Sequence, residues 1–123
     1  MKIAALIARI LLGLIFVIFG LNGFLNFLHA PLPTGLAGQF IIAMASSHYL
    51  YVVSAFEVIG GGLLLSGVFV PLGLTILGPL LVNILLFHIC MLRMGLSVAL
   101  VTTALWFIVF AYRRSAFAGV FQR

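Results

Sequence analysis

Glu57 is the only acidic side chain in this 123-residue chain, and it stands in a run of apolar residues long enough to cross a membrane. An ionised carboxylate in hydrocarbon is costly, so it is neutralised, paired or set in a wet cavity, and its presence marks a functional site. A Glu stem is too short to reach an interface from mid-bilayer. Three other residues have side chains suited to act beside it: Asn22, Asn83 and His88. A carboxyl and an imidazole can hold or pass protons. Carboxamides can orient a polar ligand group, or act as interhelical glue worth under about 2 kcal/mol, a reading that applies equally to Asn22 and Asn26. Arg9 is a structural or charge-pair partner for Glu57, or else it snorkels to the headgroups.

The elements that must position these groups are membrane helices. The chain is 66% hydrophobic and 6% charged, with a mean hydropathy of +1.44. A soluble domain of this length cannot hide so much apolar surface, which makes lipid the solvent for most side chains. Four segments qualify or nearly qualify as spans, at about 3–28, 49–69, 72–92 and 96–112. Pro31 and Pro33, Val70-Pro71, and Arg93-Met-Gly95 mark the breaks. Two connections are short enough to force antiparallel neighbours. The expected fold is all-α: a four-helix transmembrane bundle in a single domain over 1–123. The connection 29–48 is the exception in length. Its stretch 36–47 is too short to span and reads as a re-entrant or interfacial helix. The first apolar run is far longer than a signal-peptide core and reads as a retained span.

The basic residues set the orientation. Lys2, Arg113, Arg114 and Arg123 lie near the termini, against Arg93 alone at the opposite face. The positive-inside rule then makes both termini of this multi-pass cell-membrane protein cytoplasmic. Six dispersed basic residues form no nucleic-acid patch. A single cysteine, Cys90, excludes an intramolecular disulfide and any Cys-rich metal site. Metal or haem ligation by His29, His48 and His88 lacks Cys or acidic loop ligands, so no metal site is expected. His29 and His48 fall at span ends and read as interfacial. One chain has too few helices to enclose a transport pathway, and no half-helix repeat is evident.

At about 1.5 Å of rise per residue, Glu57 falls near the midplane and Asn83 at nearly the same depth. His88 lies about 8 Å further out, with Asn22 at a similar level. Arg9 maps to the inner half, more than about 10 Å from Glu57 in depth. Gly13 and Gly20 fall on one stripe of the first helix, and Gly60 and Gly61 follow Glu57 on the second. Small residues on a stripe let membrane helices approach closely, so the first two spans should pack with Glu57 at or beside their seam. Gly78-Pro79 should kink the third span just before Asn83.

The first helix, with Arg9, Gly13, Phe16 and Gly20 in order, resembles the R-x-x-x-G-x-x-F-x-x-x-G opening of the DoxX family. Glu57-Val-Ile-Gly60-Gly61, followed by Leu64 and Gly67, resembles that family's E-x-x-G-G-x-x-L-x-x-G. The segment from Gly78-Pro79 through Asn83 to His88 is similar to the third helix of a DoxX-like subgroup. The resemblance runs along essentially the whole chain. Gly23 departs from it, standing where many members carry Lys. The family consists of small four-helix membrane proteins, some linked to thiosulfate:quinone oxidoreduction or to membrane redox and oxidative-stress complexes.

The resemblance implies an accessory or quinone-proximal subunit of a membrane redox system. Glu57 and His88 would handle protons or hydrogen-bond a quinone carbonyl, and Asn83 would orient the headgroup. Electrons would come from a partner, since the chain has no flavin or dinucleotide motif and no Cys pair. The alternative is a non-enzymatic assembly subunit of a larger membrane complex, a homo-oligomer, or a small-ligand binder, with Glu57 and Arg9 holding helices in register.

Overall fold

A computed structural model describes residues 2–27 and 31–120, which are mostly helical with no strand among them. Five α-helices follow in order: α1 (Lys2–Leu25), α2 (Gly35–Ser46), α3 (Tyr49–Ser66), α4 (Val70–Cys90) and α5 (Leu96–Tyr112), with a 3-10 turn at Arg114–Phe117. By length and composition, α1, α3 and α4 can each cross a membrane, whereas α5 is apolar but only 17 residues long.

Backbone signals account for the boundaries. α1 stops at Leu25, short of the expected 28, because Asn26 turns left-handed (φ 51°) while its N–H still bonds the Asn22 carbonyl at 2.8 Å. α3 ends at Ser66 rather than 69. Gly67 takes φ 74° and its N–H caps the Leu63 carbonyl at 3.1 Å, a left-handed stop that favours glycine. α4 then starts at Val70, so Pro71 lies inside its first turn, where a missing N–H costs no helical bond. Further along, Pro79 lies within α4, which continues to Cys90.

α1 packs on α3 and α5, and α4 packs on the same two helices from the other side. The buried residues of α1 recur at helical spacing (Ala5, Ala8, Leu12, Phe16, Gly20) and so form one stripe. Leu12 and Phe16 meet Leu64 of α3, Leu74 and Leu77 of α4, and Val109 of α5 in a common core. Two thirds or more of the apolar window of each long helix stays on the outside. Exposed Ile7, Leu14, Ile18, Phe56, Val82 and Phe107 are part of that outer surface, the inverse of a soluble protein's pattern. Three threonine hydroxyls are satisfied within their own helices: Thr75 donates to the Pro71 carbonyl (2.9 Å), and Thr102 and Thr103 donate to those of Val98 and Ala99 (2.8 Å each). The short α2 packs on α3, and its Phe40 ring lies 5.5 Å from Phe87 of α4.

Candidate functional site

The seam between α1 and α3 is built from glycines. A Cβ on Gly13 would lie 2.9 Å from the Gly61 carbonyl oxygen, and one on Gly61 would lie 2.9 Å from that of Gly13. Two turns along α1, a Cβ on Gly20 would lie 3.0 Å from Glu57 Cβ and 2.9 Å from the Ser54 carbonyl oxygen. The stem of Glu57 therefore rests against the α1 backbone. The neighbouring glycines divide their work. Gly60 faces α4 rather than α1. A Cβ there would come 2.7 Å from Leu77 of α4, while one on Gly62 meets nothing within 4 Å. Successive helical residues point about 100° apart, so Gly60 and Gly61 serve different partners.

Glu57 is half-buried, and no hydrogen bond or ion pair within the described residues engages its carboxylate. Arg9 is occupied elsewhere. Its Nη1 donates to the Leu64 carbonyl and to that of Leu65 at 3.4 Å, in the last turn of α3. Those carbonyls have no intrahelical donor, because a helix leaves its final C=O groups unpaired. A cation there also complements the negative end of the helix dipole. Gly67 makes room for this: a Cβ on it would lie 2.9 Å from Arg9 Nη1. Arg9 thus ties α1 to the C-terminus of α3, neither snorkelling free nor neutralising Glu57.

The other candidates satisfy themselves locally or lie apart. Asn83 is on the exposed side of α4, and its Nδ2 donates to the Pro79 carbonyl one turn back at 3.1 Å. His88 is half-buried, with Nδ1 2.8 Å from the Ile84 carbonyl. A carbonyl only accepts, so Nδ1 is the donor in this contact and Nε2 is left without a partner among the described residues. That nitrogen faces Gly95, where a Cβ would lie 3.1 Å away. No hydrogen bond joins Asn83 or His88 to Glu57. Asn22 is half-buried near the end of α1. His48 precedes α3 with φ 64°, its ring stacked 5.6 Å from Tyr51. His29 lies outside the described residues. Among those described, no three His, Cys, Asp or Glu side chains come together.

Sequence reasoning missed Trp106. Its Nε1 donates to the Leu74 carbonyl at 3.1 Å, tying α5 to α4, and its ring stacks on Phe110 at 5.2 Å. Gly78 leaves space for the indole, since a Cβ there would already touch it at 3.5 Å. That it is the chain's only Trp was the available signal.

No protein-family model matches the chain, and comparison with curated proteins and with solved structures finds no match either.

Proposed function

We propose that the chain is a DoxX-like integral membrane subunit: a four-helix transmembrane bundle of α1, α3, α4 and α5, with α2 lying at the interface and both termini cytoplasmic. In this reading it is a quinone-proximal accessory subunit of a membrane redox system. The observation that carries it is the Glu57 carboxyl, set in the middle of an apolar helix, half-buried, and without a protein partner among the described residues. Arg9 is committed to the Leu64 and Leu65 carbonyls and leaves that carboxyl free for an outside group.

A carboxyl in that position suits a quinone, whose reduction takes up protons with electrons. As the acid, Glu57 donates a hydrogen bond to a carbonyl oxygen; as the base, it accepts one from a hydroxyl. Glu57 would be the residue holding such a ring, and a bound quinone would supply the electron chemistry that the chain's own side chains lack. The close Gly20 contact fixes the Glu57 stem and limits where its oxygens can reach. Purified protein and its Glu57→Gln variant, titrated with a short-chain quinone, test this. Wild-type binding that the variant loses supports the reading. No binding by the wild type, with full cellular function retained by the variant, sinks it.

A second reading is favoured by Asn83. Its carboxamide is on an exposed face of a membrane-length helix, and only its Nδ2 is used, by the Pro79 carbonyl. A polar group on such a surface suits contact with another membrane helix. In that reading the chain is a non-enzymatic assembly subunit, and Asn83→Leu would release it from its complex.

A further inference from the structure

A group of cations lies around a groove away from Glu57. A cavity of about 300 Å³ opens between the N-terminal end of α1, the turn after α3 and the C-terminal end of α5. That is room for roughly ten waters at liquid volume. Three of its lining residues are cations, Lys2, Arg9 and Arg113, and Tyr112 stands beside them. Leu6 and Val109 are among its apolar walls. No acidic side chain balances these charges. The only one in the chain, Glu57, lies ten residues before Gly67, about 15 Å back along α3.

Arg9 is the fixed member. Its Nη1 is held by two α3 carbonyls, which leaves Nε and Nη2 as donors with no protein acceptor among the described residues. A guanidinium anchored through one nitrogen presents the others at little entropic cost, and it matches phosphate oxygens in pairs. Lys2 is exposed and Arg113 half-buried, so both can close on a bound anion.

We propose that this cavity binds the phosphate of an anionic phospholipid headgroup. Arg9 is the inner anchor, Lys2 and Arg113 supply the flanking charge, and the apolar walls take the glycerol end. Basic pockets between membrane helices recognise anionic headgroups in this way. Under the proposed topology the site opens toward the cytoplasmic leaflet, where anionic lipids contribute a negative surface potential. The inference needs the membrane placement but not the quinone reading.

Native mass spectrometry of the full chain in neutral detergent tests it, with phosphatidylglycerol, phosphatidylcholine and inorganic phosphate as probes. Phosphatidylglycerol should bind at least about fivefold more tightly than phosphatidylcholine. Lys2→Gln and Arg113→Gln should each weaken it by about fivefold, on the scale of one surface cation near an anionic lipid. Arg114, exposed and not part of the lining, is the control: Arg114→Gln should change nothing. Equal binding of the two lipids, or equal loss in the Arg113 and Arg114 variants, would overturn the proposal. Displacement of lipid by low-millimolar inorganic phosphate would make this a free-anion site and would also overturn it. Glu57→Gln should bind phosphatidylglycerol like the wild type, so failure here and failure of the quinone reading are separate results.

Discussion

Gly13 and Gly61 meet back to back: each Cα lies so close to the other's carbonyl oxygen that an added Cβ would sit 2.9 Å from it. Both obstructing atoms are backbone, so neither can swing aside as a side chain would. The contact sets the distance between α1 and α3 and, with it, the bed on which Glu57 rests.

Alanine at these positions should therefore separate by what the new methyl meets. Gly13→Ala and Gly61→Ala should each destabilise by about 1–3 kcal/mol, the usual cost of overpacking. Gly60→Ala drives a methyl into Leu77, which is fully buried in the core, and should cost a similar amount. Gly62→Ala meets nothing within 4 Å and should be neutral or slightly stabilising, since alanine is the better helix former. Unfolding in mixed micelles would rank the four. A Gly62 variant as unstable as the Gly61 variant would contradict this packing.

The glycine seam was legible in the sequence because small residues at helical spacing carry a directional signal. The division between Gly60 and Gly61 was less so, because it depends on where α4 stands around α3. Depth bookkeeping has the same blind side. It gives a residue's height along its helix but not its bearing around it, and bearing is what sets Asn83 on an exposed face of α4 and Glu57 on the α1 seam. The partners of Arg9 were illegible for another reason. They are main-chain carbonyls, which every residue has, so no residue type marks them. The end of α1 at Asn26 rests on one left-handed φ inside an apolar run that otherwise continues.

Arg9→Gln should cost about 1–3 kcal/mol by leaving the Leu64 and Leu65 carbonyls without their donor. Gly67→Ala should cost about 1–2 kcal/mol through its left-handed backbone alone, before crowding of the guanidinium is added. Thermal unfolding of both variants in the same detergent checks this. An Arg9→Gln protein as stable as the wild type would remove the capping role.

Glu57→Gln should not destabilise the protein, since no ion pair is broken and an unpaired charge is removed. A double-mutant cycle with Arg9→Gln should show additivity within about 0.5 kcal/mol. A larger coupling would mean that the two charges interact after all.

Trp106→Phe should lose about 0.5–1.5 kcal/mol, the net worth of the indole bond to the Leu74 carbonyl. Trp106→Ala should lose about 3–5 kcal/mol, because the stack on Phe110 goes with it and a cavity opens against α4. Chemical unfolding followed by circular dichroism distinguishes the two, and near-equal losses would shift the weight from ring packing to the hydrogen bond.

Arg9 enters the chain 55 residues ahead of the carbonyl it serves. While α1 is alone in a bilayer, its guanidinium has no acceptor there, at an expense of about 2.5–3.5 kcal/mol for a central charge, less with snorkelling. Arrival of α3 removes that burden and seats Gly61 against Gly13 at the same moment. The order of synthesis is thereby coupled to the order of assembly. The first helix lacks these acceptors until α3 supplies them, so a chain truncated before Leu64 should hold α1 less firmly in place than the full chain does.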